Sequence, residues 1–175
     1  MNYRIFVEKK EDFRVEAQNL MNDLRENVGI ESLDFLRILN IYDVFNLSKE
    51  DLKKMEKIVF SEVNVDRVYN SLEEVFSVLE NRENIHFAVE FIPGQYDQRA
   101  DSAVQCINLL ADNENFNVKS GKLIVLYGNI TAEELSKIKK YYINEVEMRE
   151  KNLDILEENP EQENTEKVPV YENFI

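Results

Sequence analysis

The strand and helix signals of this chain run through once and then begin again about 82 to 85 residues later. That recurrence limits the possible folds more than any single segment does. Tyr3–Glu8 alternates around a β-branched and aromatic centre and reads as a strand. Lys10–Asn27 spaces Phe13, Ala17, Leu20, Met21 and Leu24 as the stripe of an amphipathic helix, and Gly29 supplies its stop. Leu33–Phe45 reads as a long strand, and Ser48 with Asp51 opens a helix carrying Leu52, Met55, Ile58 and Val59. The second pass gives a strand at Ile85–Phe91, a helix at Gln98–Leu110, a strand at Asn117–Tyr127 and a helix at Thr131–Tyr142. Local detail recurs as well. Val7-Glu8 matches Val89-Glu90, and Thr131-Ala132-Glu133-Glu134-Leu135 echoes Ser48-Lys49-Glu50-Asp51-Leu52. Short strand–helix units are common, so an unrelated alternation is the competing reading.

Two such halves, each with a half-buried sheet, bury most surface by packing around a pseudo-twofold axis. The expected fold is therefore α+β, a two-layer sandwich of two similar strand-helix-strand-helix halves, resembling a dimer written in one chain. One domain spans residues 1–156, with halves at about 1–60 and 84–143 joined by a connecting segment at 61–83. In that segment Val68, Leu72, Val75 and Leu79 keep helical spacing and predict a connecting helix over Val63–Leu79. After Leu156 the pattern stops. Glu157 to Asn164 holds no apolar side chain but Pro160, so 157–175 is expected to be an acidic linker leading to a further domain.

Charge and composition narrow the function. A net charge of -14 argues against nucleic acid, which needs clustered Lys and Arg. Ten acids and three bases fall within Glu145–Ile175, so about half of that excess sits in the tail. No apolar run approaches the length of a membrane span, and the first residues carry no cleavable leader pattern. A lone cysteine, Cys106, fits a reducing compartment, so a cytoplasmic location is expected.

The richest segment is Phe91-Ile92-Pro93-Gly94-Gln95-Tyr96-Asp97-Gln98-Arg99-Ala100-Asp101-Ser102-Ala103-Val104-Gln105-Cys106. Pro93-Gly94 ends a strand, and Asp97 is placed to cap the helix that follows. Either this is a well-capped helix start in which Arg99 pairs with Asp97 or Asp101, or it is a polar surface that meets another part of an enzyme. Composition does not decide between them.

This run resembles the signature of the N-terminal domain in large, single-chain phosphoribosylformylglycinamidine synthases. Val59-Phe60-Ser61-Glu62-Val63-Asn64-Val65-Asp66 is similar to the family's segment between its two halves. The stretch from Tyr141 to Glu150 is similar to the one leading out of the domain, and Tyr171-Glu172-Asn173-Phe174-Ile175 to the start of the next, linker domain. The resemblance covers essentially the whole chain. It departs at Val63 and Glu145, where the family usually has proline.

The resemblance implies one part of an enzyme that converts formylglycinamide ribonucleotide, ATP and glutamine to formylglycinamidine ribonucleotide. ATP and magnesium serve the full enzyme, and no cofactor is expected in this chain. Its partners would be the synthetase, linker and glutaminase domains, which it organises while helping to close the ammonia route. The N-terminal domain of the family resembles a dimer of the small accessory subunit of multi-chain versions. Pro93, Gly94, Gln95, Asp97, Gln98, Arg99 and Asp101 are the candidate interdomain or ammonia-path residues.

No catalytic or metal site is expected within the chain. Cys106 reads as a packed core residue, and His86 is far from it in sequence. The four glycines, Gly29, Gly94, Gly121 and Gly128, form no phosphate loop. A free-standing accessory subunit and a small effector-binding regulatory domain are the alternative readings. Faces meant for missing domains would make the isolated chain prone to self-association.

Overall fold

The computed structural model describes residues 2–110 and 115–157. The acidic linker expected over 157–175 lies, apart from Glu157, outside the described residues. Among the described residues the fold is α+β: six antiparallel strands in one sheet, with five α-helices. The strands are β1 (Asn2–Lys9), β2 (Leu33–Phe45), β3 (Asp66–Tyr69), β4 (Ile85–Phe91), β5 (Asn117–Gly128) and β6 (Met148–Lys151). The helices are α1 (Val15–Glu26), α2 (Lys49–Met55), α3 (Leu72–Ser77), α4 (Gln98–Leu110) and α5 (Ala132–Tyr142). Across the sheet the order is β3-β1-β2-β5-β4-β6.

The two long strands meet in the middle, from Phe35 opposite Tyr127 to Phe45 opposite Asn117. β1 pairs with β2 through Phe6 and Ile41 and with β3 through Phe6 and Tyr69. β4 pairs with β5 through Ala88 and Leu123 and with β6 through Ala88 and Lys151.

Alternation along a strand sorts side chains onto two faces. On one face, Leu36 and Ile38 of β2 with Ile124 and Leu126 of β5 pack under α1 and α5. Further along that face, Tyr42, Val44 and Val118 pack with α2, α4 and Phe60. Between these two apolar clusters the same face carries Asn40, Ser120 and Lys122. The opposite face holds Phe6, Leu39, Ile41, Leu123 and Val125. It is covered by Val75 and Phe76 of α3 and by Leu153, so the connecting segment adds a partial layer beyond a two-layer sandwich.

Three elements differ from the sequence-based expectation. The connecting segment is a strand and a short helix, not one helix over Val63–Leu79. The backbone of Asp66–Tyr69 is claimed by the free edge of β1, and Ser71 restarts the helix by accepting the Glu74 N–H at 3.2 Å. The first helix begins later than Lys10. A 310 turn at Glu11–Phe13 precedes a break at Arg14, and Phe13 is exposed instead of joining the stripe. Finally, Met148–Lys151 forms edge strand β6, which the sequence pattern did not reveal.

Candidate functional site

The segment singled out in the sequence leaves β4 through a turn in which Gln95 N–H donates to the Ile92 carbonyl at 3.1 Å. Gly94 stands there at φ +93, a conformation that a Cβ disfavours. The chain then enters α4. Asp97 caps the helix through Oδ1, which accepts the Ala100 N–H at 3.0 Å. The same carboxylate accepts the Ser120 hydroxyl at 2.6 Å and the Ser120 N–H at 2.8 Å. Asp97 is thereby fully engaged in fastening α4 to β5. Asp101 accepts the Tyr96 hydroxyl at 2.9 Å and the Gln105 amide at 3.1 Å. That bond to a carboxylate, first among its causes, raises the Tyr96 pKa above the ordinary phenol value.

Arg99 therefore does not find its partner on its own helix. Its guanidinium acts instead on the Tyr42 hydroxyl of β2, whose pKa burial raises while the Arg99 charge pulls it back. Tyr42 is buried and its ring stands 4.9 Å from that of Phe60. Among the described residues Arg99 makes no ion pair.

Gln98 and Arg99 open onto a cleft of about 880 Å³ on the helix-bearing face, within the range of small-molecule sites. Ser120 and Lys122 of β5 and Tyr42 of β2 contribute to it, with Ser102 and Cys106 on the α4 side. Tyr96, Phe91 and Met148 supply apolar wall. Lys122 is bound to Glu16 of α1. Across the central ladder its partner is Asn40, whose Oδ1 is buried and accepts no hydrogen bond.

Of the candidate residues, Gln98 and Arg99 line the cleft, whereas Asp97 and Asp101 are spent on local structure. Pro93, Gly94 and Gln95 form the exposed turn before α4. Reading the segment alone missed Tyr42, Ser120 and Lys122. The available signal was a lysine, with Ser120 two positions before it, breaking the run of apolar residues on one face of β5.

Cys106 corrects an expectation: it is exposed at the cleft and not packed in the core. The buried stripe of α4 is Ala100, Ala103 and Ile107, and Cys106 lies one position off it. His86 rests against Phe76 of α3 at 5.1 Å, on the opposite face of the sheet. The sheet itself separates Cys106 from His86, so they form no nucleophile–base pair. Among the described residues no group of three or more His, Cys, Asp or Glu side chains could hold a metal ion. No described helix is long and apolar enough to cross a membrane.

Two ionic networks lie on the face opposite the cleft. Arg37, nearly inaccessible, forms a two-point pair with Glu8 at 2.9 and 2.7 Å and donates to the Val75 carbonyl at 2.7 Å and Tyr127 at 3.1 Å. Burial works against its charge, but the Glu8 carboxylate outweighs it and its pKa is raised. In the second network Asp43 receives Arg4 and Lys151, and Glu90 receives Lys151 and Arg149. Arg4 also donates to the carbonyls of Leu153 and Ile155 at 2.5 and 2.7 Å. Every charge in these networks has a protein partner, so they serve to hold α3 and the 152–156 segment on the sheet. Compared with known proteins, the chain matches no family model and no curated protein.

Proposed function

We propose that this chain is the N-terminal domain of a large, single-chain phosphoribosylformylglycinamidine synthase: a cytoplasmic, non-catalytic scaffold that organises the synthetase, linker and glutaminase domains. The similarity at Pro93–Gln105 points to the family. The register of the sheet supports the duplicated, dimer-like architecture that such a domain would have, and this observation carries most weight.

Shifting both members by 82 residues carries every β1–β3 pair, and every β1–β2 pair but the terminal Asn2 with Phe45, onto a second-half pair. Phe6 with Ile41 becomes Ala88 with Leu123, and Ile5 with Tyr42 becomes Phe87 with Ile124. Phe6 with Tyr69 becomes Ala88 with Lys151, and Glu8 with Arg67 becomes Glu90 with Arg149. Two unrelated strand–helix runs have no reason to share one displacement across two ladders, whereas a duplicated unit around a pseudo-twofold axis does. The axis passes between β2 and β5 at the Asn40–Lys122 pair, since those two residues are both opposite one another and 82 apart.

In this reading Arg99 takes a carboxylate or phosphate at an interdomain surface by its two-pronged donor geometry. Arg99→Ala in the intact enzyme is expected to lower glutamine-dependent activity more than ammonia-dependent activity. Equal loss of both would indicate substrate binding or a structural role, and no loss would remove Arg99 from the interface. Size separates this reading from a free-standing accessory subunit. An antibody blot of a native lysate should show a band several-fold heavier than 20.7 kDa. A band near that mass would mean a separate subunit.

A further inference from the structure

We propose that the cleft beside α4 binds a small molecule through its carboxylate, received by Arg99, which makes no ion pair among the described residues. The inference rests on the two-half reading above, because the second half is compared with the first. Strands correspond at a displacement of 82. The helices correspond at 83, which carries the buried stripe Ala17, Leu20 and Leu24 of α1 onto Ala100, Ala103 and Ile107 of α4.

By these displacements Glu16 on α1 answers to Arg99 on α4, and Lys122 on β5 answers to Asn40 on β2. In the first case the two side chains form an ion pair, Glu16 with Lys122. In the second, the helix position holds a cation but the strand position holds a neutral amide. Arg99 is left without an ion pair among the described residues, and the Asn40 Oδ1 is left without a donor. The same comparison accounts for the space. Where the first half places Leu20 against its core, the second places Ala103, which lines the cleft.

The charges around the cleft select the ligand. Lys122 is matched by Glu16, and the Glu90 side chain, turned to the opposite face of the sheet, is matched by Arg149 and Lys151. One positive charge remains, carried on a planar fork that suits a carboxylate. A phosphate monoester would bring nearly twice the compensating charge to a chain of net charge -14. Tyr96, Phe91 and Met148 provide a wall for an apolar or aromatic body.

The test is an amide-resolved NMR titration of the 175-residue chain with phenylacetate, its neutral analogue phenylacetamide, and phenyl phosphate. Phenylacetate should shift the amides of Arg99, Ser102 and Lys122 saturably, with a dissociation constant on the order of millimolar for so small a ligand. Phenylacetamide should leave them in place. Arg99→Gln should weaken phenylacetate at least about tenfold, the loss expected for one charged hydrogen-bonding group, with an unchanged melting temperature because the side chain is exposed. Equal binding of the amide, tighter binding of phenyl phosphate, shifts remote from the cleft, or no saturable shift would each overturn the proposal. The titration reads the cleft whatever enzyme the chain belongs to, and the blot reads membership whatever the cleft binds, so either reading can fail alone.

Discussion

Glu8 and Arg37 are both nearly inaccessible, and each is tolerated in the interior chiefly because of the other, with Arg14 a longer second partner of Glu8 at 4.0 Å. The guanidinium spends its donors on the Glu8 carboxylate, the Val75 carbonyl and the Tyr127 hydroxyl, while Tyr69 adds a hydroxyl at 3.3 Å from Glu8. Arg37→Ala leaves the Glu8 carboxylate with only the longer Arg14 contact and the Tyr69 hydroxyl, and is expected to cost about 3 kcal/mol, the low end of the penalty for breaking a buried pair. Urea unfolding measures it, and the double variant Glu8→Leu with Arg37→Met should lose less than the single change. A double variant as unstable as Arg37→Ala would mean that the carbonyl and hydroxyl contacts, not the ion pair, hold α3 down. None of this was legible beforehand. Glu8 and Arg37 are 29 positions apart, and only the pairing of β1 with β2 brings them onto one face. The same limit applied to the cleft. Gln98 and Arg99 could be picked out because they are contiguous with a distinctive run, whereas Tyr42 and Lys122 reach the site from β2 and β5.

At the scale of elements, the best-read ones carry their own boundary chemistry. Thr131 caps α5 by accepting the Glu134 N–H at 3.1 Å, and the Glu134 carboxylate accepts the Thr131 N–H at 3.0 Å in return. This reciprocal box is a local pattern, so the start of α5 was visible in the residues themselves. Thr131→Ala removes one half of the box and should cost about 1 kcal/mol in thermal or chemical unfolding. The Thr131 N–H is also the chief reason that the Glu134 pKa is lowered, with Ser32 adding a further bond. The sign follows: a lowered carboxylate pKa contributes stability above the ordinary glutamate range, and that contribution fades as pH falls through the folded value. The margin of the parent over Glu134→Gln should therefore be full near neutral pH and shrink on acidification below about pH 4.5. A margin independent of pH would show that the carboxylate charge is not what caps the helix. The edge strands β3 and β6 had no such local signal. Asp66-Arg67-Val68-Tyr69 and Met148-Arg149-Glu150-Lys151 are short and polar, and they become strands only because β1 and β4 offer free edges. Gly121 belongs to the same class. A Cβ there would stand 2.5 Å from the Val89 carbonyl oxygen, a close approach of β4 and β5 that a lone glycine in the sequence does not announce.

For the whole molecule, the central ladder between β2 and β5 is the only direct strand pairing between the first three strands and the last three. It is also the part with apolar cover on both faces: Ile38, Ile124 and Val44 lie on the helix side, and Leu39, Ile41, Leu123 and Val125 on the other. Opening it would expose three clusters at once, whereas β3 and β6 each pair along one side only and span four residues apiece. Native-state amide exchange should accordingly be slowest in the hydrogen-bonded amides of β2 and β5, near the limit set by global unfolding, and should quicken outward to β3 and β6. Local opening of the edges is expected to proceed without loosening the centre. If all strands of the second half instead exchanged together and faster than those of the first, the central ladder would be an interface between two separately opening units. The two-half organisation proposed above would then appear in the energetics as well, with the cleft on the less stable side. A single gradient from centre to edge would mean that the six strands form one cooperative sheet. In that sheet the cleft beside Ala103 and the exposed charge of Arg99 would be local features on which the central spine does not depend.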